Sequence, residues 1–163
     1  MEKQLLVNMV LSAWHQQNKR LGGLLEKLSD EQLQGAVAPG RNTGIYLVGH
    51  LAAVADMMLP LLDMGQCLRP EMQAIFVNVP DGAVKDVPST SELKQYFKEV
   101  NTTLSEKFST LSADDWLKKH TSVNEDDFKK DPSRNKLNII ISRTNHLSYH
   151  FGQLAFLQAK KID

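Results

Sequence analysis

Four stretches of this 163-residue chain repeat apolar residues at intervals of three and four, the spacing that lines one side of an α-helix. Val7, Val10, Leu11, Trp14, Leu21, Leu25 and Leu28 mark a first helix from Glu2 to about Leu28. Gly22-Gly23 interrupts it only in propensity, at about 1 kcal/mol per glycine relative to alanine. Ser29-Asp30-Glu31-Gln32 then reads as a capping box for a short helical turn. After the break at Pro39-Gly40, Asn42-Thr43 caps a second helix, expected to run from about Thr43 to Met64. Pro60 lacks a backbone donor and should kink that helix or end it early. A second capping box, Ser89-Thr90-Ser91-Glu92, opens a third helix whose stripe is Leu93, Phe97, Val100, Leu104, Phe108 and Leu111. The fourth is expected from about Arg134 to Lys160, with Lys160-Lys161 where the helix dipole favours cations.

The connections repeat as well. Leu111-Ser112-Ala113-Asp114-Asp115-Trp116 echoes Leu28-Ser29-Asp30-Glu31-Gln32-Leu33, and each half then enters a helix bearing a His-Leu pair, His50-Leu51 or His146-Leu147. The expectation is an all-α protein, a four-helix bundle of two helix-loop-helix halves with roughly antiparallel neighbours. A long crossover at 65–88 joins the halves, rich in proline and glycine, with one short apolar patch, Ala74-Ile75-Phe76-Val77. The charged run from Asn124 to Pro132 reads as a solvated surface loop. The length suits one domain spanning 1–163.

Nineteen basic residues balance nineteen acidic ones, with no Lys/Arg cluster to track a phosphate backbone, so no nucleic-acid partner is expected. We see no leader pattern and no stretch able to span a bilayer, which points to a cytoplasmic protein with no membrane partner. Cys67 is the single cysteine and cannot form an internal disulfide, which suits a reducing compartment.

The chemistry concentrates in Asn145-His146-Leu147-Ser148-Tyr149-His150-Phe151-Gly152-Gln153-Leu154. Histidines four apart lie on one side of a helix, roughly 5–6 Å apart at Cβ, close enough for both rings to reach one ion. Their face also carries Ile139, Ser142, Gln153 and Leu157, the mixture expected when a polar site is sunk into a bundle core. The third ligand is His50, whose face carries Tyr46, Leu47, Ala53, Val54, Met57 and Leu61 and is expected to be buried. Three imidazoles suit a divalent first-row ion and leave coordination positions open. Asn18 and Gln153 lie on core-facing stripes and are the candidates to hold the other ring nitrogens. Tyr46 and Tyr149 are candidate proton donors beside the site. His15 and His120 read as solvated histidines. The competing reading is a set of core histidines satisfied by ordinary hydrogen bonds.

No Asp or Glu falls on the inward faces, and the His146–His150 segment lacks the glutamate of the HExxH zinc peptidases. The inward Glu-x-x-His motifs of carboxylate-bridged di-iron bundles are absent too. Chemistry here would depend on the ion lowering the pKa of a bound water or thiol, or polarising a carbonyl.

Gly49-His50-Leu51, reached after Ala38-Pro39-Gly40-Arg41-Asn42-Thr43, together with His146-Leu147-Ser148-Tyr149-His150-Phe151-Gly152-Gln153-Leu154, resembles the DinB/YfiT-like family of metal-dependent proteins. Trp14 and Asn18 extend the resemblance into the first helix. It implies a four-helix bundle, often a homodimer, with His50, His146 and His150 holding a divalent ion, usually nickel or zinc. It also implies a small-molecule thiol or electrophilic substrate, since some relatives are thiol S-transferases and others have been called hydrolases. Phe151 stands where many relatives carry arginine, a departure that leaves the ligands untouched and alters any contact to an anionic substrate. Two functions follow: a metal-binding protein with an open three-histidine site serving thiol transfer or hydrolysis, or a non-catalytic helical dimerisation module with a vestigial or structural metal site.

Overall fold

Residues 2–158 are described by a computed structural model, in which nine α-helices and no β-strand occur among the described residues. Helix α1 (Glu2–Lys27) runs unbroken through Gly22-Gly23 and buries Val7, Trp14, Leu21 and Leu25 of the stripe read from the sequence together with Leu24, while Val10 and Leu11 are half-buried. Ser29 caps α2 (Asp30–Gln34) with both halves of the capping box in place. Helix α3 (Gly44–Asp56) is capped by Thr43, whose side chain accepts from the Tyr46 amide.

The second long helix was expected to continue to Met64, but it breaks at Met57 and resumes as a single turn, α4 (Met58–Leu61). Proline at position 60 accounts for this: it has no N–H to offer the carbonyl of Asp56, four residues earlier. That carbonyl instead faces the thiol of Cys67, 3.7 Å away. The Asp56 carboxylate, 1% exposed, accepts from the amides of Leu68 (2.8 Å) and Arg69 (2.9 Å) and from the Tyr96 hydroxyl (2.7 Å). The expectation that no carboxylate faces inward is therefore wrong. This one anchors the crossover, and the burial of Tyr96 beside it pushes that phenol's pKa up strongly.

The crossover, expected as a long connection with one short apolar patch, holds a short helix, α5 (Glu71–Phe76), that includes most of that patch. Its Met72 and Phe76 are buried, and the Phe76 ring lies directly on the backbone of α3. A Cβ at Gly49 would come within 2.5 Å of that ring, so the close approach requires glycine. Farther along, Asp81 accepts from the amide (2.6 Å) and hydroxyl (2.8 Å) of Thr43, tying the loop to the start of α3.

Helix α6 (Thr90–Phe108) begins at the Ser89–Glu92 capping box and buries the whole expected stripe through Phe108. Ser112 caps α7 (Ala113–Trp116) as Ser29 caps α2, so the sequence echo is a real structural one. The charged run expected to be a loop forms α8 (Glu125–Lys130), capped by Asn124, with none of its residues buried. Helix α9 (Lys136–Ala155) is shorter than expected, and Lys160-Lys161 lies outside the described residues.

Side-chain contacts set the sense of the long helices. Arg20 lies over Phe151, and Gln32 donates to the Leu157 carbonyl, so α1 and α9 run parallel. Gly44 packs on Leu157 and His50 on His146, so α3 opposes α9. Lys94 donates to the Leu28 carbonyl and Phe108 packs on Trp14, so α6 opposes α1. The expected antiparallel order of neighbours is thus replaced by two parallel pairs, α1 with α9 and α3 with α6. A hairpin cannot join α3 to α6 in the same sense; the crossover does. At the centre, Gly44–Leu61 is long and apolar enough by composition to cross a bilayer, contrary to the sequence reading, and 72% of it is buried within the fold. Its apolarity is that of a helix packed by α5, α6 and α9.

Candidate metal centre

Facing positions on α3 and α9 bring three imidazoles together. His50 Nε2 lies 3.1 Å from His146 Nε2, and His150 Nε2 lies 3.1 Å from the same atom. One nitrogen from each ring falls within 4.8 Å of the others, and all three residues are half-buried. The site sits on the flank of α9 rather than in the core, because the deepest residues of that helix are Leu137, Ile140, Leu147 and Leu154, one position round from the histidines. His50, expected to be buried, shares this half-exposed setting.

Two of the rings are oriented from behind. Phe76 closes α5, so its carbonyl is one of the terminal acceptors without an intrahelical donor. His50 Nδ1–H donates to it at 2.8 Å. His150 Nδ1–H donates to Gln153 Oε1 at 2.7 Å, three residues along the same helix face. With the proton on Nδ1 in both rings, each Nε2 presents a lone pair. Between these two lone pairs stands His146 Nε2, which can carry at most one proton and so can bridge only one of the two 3.1 Å contacts. The other contact sets lone pair against lone pair unless a cation sits among them.

A proton is a poor candidate for that cation. Burial, reinforced by His150, His50 and Arg143, pushes the His146 pKa down to about 4, and burial also lowers that of His150 against the opposing pull of Gln153. Neutral imidazoles are the form that ligates metals. The spacing fits as well: nitrogens 2.0–2.1 Å from one ion lie roughly 3.0 Å apart at right angles and roughly 3.4 Å apart at the tetrahedral angle.

The other nominated residues divide. Gln153 meets His150 directly. Asn18 does not reach any of the three rings: its amide donates to the Trp14 carbonyl at 3.0 Å, and its Oδ1 is buried without a protein partner among the described residues. The acceptor for His50 is instead the Phe76 backbone, which has no signature in a side-chain pattern. The Tyr46 ring stacks beside His50 with centroids 6.2 Å apart, but its hydroxyl donates to the Val79 carbonyl at 2.7 Å. Burial, then Asp81, raises its pKa, so it braces His50 and is no free proton donor. Tyr149 is 64% exposed with its ring against His150. Phe151 carries the guanidinium of Arg20 4.8 Å above its ring, so a cation from α1 stands near the position where the resemblance implies arginine. His15 is exposed as expected, whereas His120 is half-buried, with its Nδ1 lacking a partner among the described residues.

The sequence profile of the DinB superfamily matches residues 13–154. No curated protein matches the chain. Among solved structures, a conserved protein from Enterococcus faecalis is similar with a TM-score of 0.62 at 14% identity, over 92% of this chain and 93% of that one, a likeness of fold. A helical chain whose profile match spans both histidine-bearing helices, and whose three imidazoles meet at one point, belongs to the DinB superfamily.

Proposed function

We propose that this chain is a divalent-metal protein in which His50, His146 and His150 hold a nickel or zinc ion and leave coordination positions open to a small-molecule thiol or electrophilic substrate. The observation that carries the reading is the convergence of three Nε2 atoms with two of their rings pinned through Nδ1. A bound divalent ion would lower the pKa of a water or thiol, or polarise a carbonyl. The chain's own residues do the rest. Phe76 and Gln153 fix the ligand tautomers, and the half-exposed flank admits a substrate from solvent. No carboxylate among the described residues belongs to the cluster. Tyr149, which lays its ring against His150 and is itself exposed, is the candidate phenol at the solvent side of that ligand.

The test is to incubate zinc- or nickel-loaded protein with a panel of low-molecular-weight thiols and electrophilic acceptors. The reading requires products that chelation abolishes and His146→Ala does not form. Silence across the panel would favour the second reading, a non-catalytic module. One observation supports that alternative: Leu5, Leu6 and Met9 are each at least 60% exposed near the start of α1, an apolar patch suited to covering by a second copy of the chain in a cytoplasmic homodimer.

A further inference from the structure

Arg143 lies one turn before His146 on α9 and two turns before His150, within the same face of the helix. Its setting is unusual for a guanidinium. The residue is half-buried, no carboxylate among the described residues pairs with it, and its Nε–H is buried without a partner among them. Arg69 and Arg134, by contrast, each reach a carboxylate. Arg143 and His146 line one small cavity of about 20 Å³, walled by Trp14, Leu51 and Leu147 and bordered by Asn101, whose Oδ1 is likewise buried and unpartnered. The apolar walls hold the side-chain stem. An apolar residue would pack there without leaving a buried N–H unpartnered, so packing alone does not explain an arginine.

The charge balance of the site points the same way. Three neutral imidazoles leave a divalent ion's charge uncompensated, and no Asp or Glu among the described residues belongs to the cluster. An arginine alongside makes the locale more cationic still. On the reading that the three histidines bind a metal, we propose that Arg143 is the specificity-determining residue of the site, pairing with a carboxylate- or phosphate-type oxyanion on the molecule that docks there. Its planar fork of N–H donors matches two oxygens of such a group at once, and unlike lysine it stays charged under burial.

Calorimetric titration of zinc-loaded protein with acetate and with methylphosphonate tests this and distinguishes the two oxyanion types. Arg143→Met keeps the apolar stem, Arg143→Lys keeps the charge without the fork, and Arg41→Met removes an exposed arginine as a control for net charge. The expected result is at least about tenfold weaker binding of one or both anions to Arg143→Met, an intermediate loss in Arg143→Lys and no change in Arg41→Met. Equal affinity in wild type and Arg143→Met, each holding zinc, would overturn the assignment, as would no anion binding to wild type at all. Zinc content is measured on every sample. If wild type holds no zinc, the metal reading fails on its own, and the same titrations of metal-free protein decide whether Arg143 binds anions. Should Arg143→Met fail to fold, Arg143→Gln and Arg143→Lys carry the comparison.

Discussion

The carbonyl of Phe76 accepts the Nδ1–H of His50 at 2.8 Å, and through that bond the crossover between the two halves of the chain sets the orientation of a candidate metal ligand. The position of the carbonyl depends on the Phe76 ring lying on Gly49. Gly49→Ala, which puts a methyl group 2.5 Å from ring atoms, is expected to displace Phe76 and weaken divalent-metal affinity by about 10–100-fold, the usual consequence of disturbing the group behind a ligating histidine. Competitive chelator titration measures it, and affinity within twofold of wild type would show that the Phe76 carbonyl has no part in orienting His50.

Gln153 and Asn18 offer a paired comparison. Gln153→Ala removes the acceptor for His150 Nδ1 and should lower metal affinity by about tenfold or more, while Asn18→Ala, which touches none of the three rings, should leave it unchanged within about twofold. The same chelator titration reads both. A larger loss in Asn18→Ala than in Gln153→Ala would reverse these roles.

Asp56 has a structural role of comparable weight. Asp56→Ala strands two backbone amides and a buried hydroxyl, each costing about 1–3 kcal/mol when left without a partner, so a loss of roughly 3 kcal/mol or more is expected in urea unfolding. Protection of the Leu68 and Arg69 amides from hydrogen exchange should fall in the milder Asp56→Asn variant. Unchanged protection would mean the crossover is held by other contacts.

The depressed pKa values of His146 and His150 give metal-free protein a pH dependence of known sign. Below about 6.5 the unfolded chain takes up protons that folded His146 refuses until about pH 4, and the lowered pKa of His150 acts in the same direction, so the unfolded state binds more protons across that window and stability falls as pH falls through it. The stabilising difference is fully present above pH 6.5. Urea midpoints of metal-free wild type should therefore drop between pH 7 and pH 4 more steeply than those of His146→Gln. Parallel profiles for the two proteins would contradict the shift.

What the sequence disclosed was local. Capping boxes at Ser29 and Ser89, the echo at Ser112, the stripe from Leu93 to Phe108 and the spacing of His146 and His150 act over three or four residues, and each appears in the structure. The departures depend on surroundings. Helix α5 spans too few residues for a period to show, and the Phe76 backbone acceptor leaves no trace in side-chain pattern. Asp56 was missed because it lies off the face centred on His50, yet α3 is packed on nearly every side, so a residue off that face is buried as well. Asn18 was correctly placed facing inward but its amide turns back to its own helix. The parallel sense of α1 and α9 follows from the path of the crossover, which periodicity cannot reveal.

Elemental analysis of purified wild type, His50→Ala and His146→Ala tests the central claim most directly. One divalent ion per chain in the wild type, and loss of stoichiometric metal in each variant with its helical content retained, is the predicted result. Full metal content in both variants would contradict a site built from these three rings.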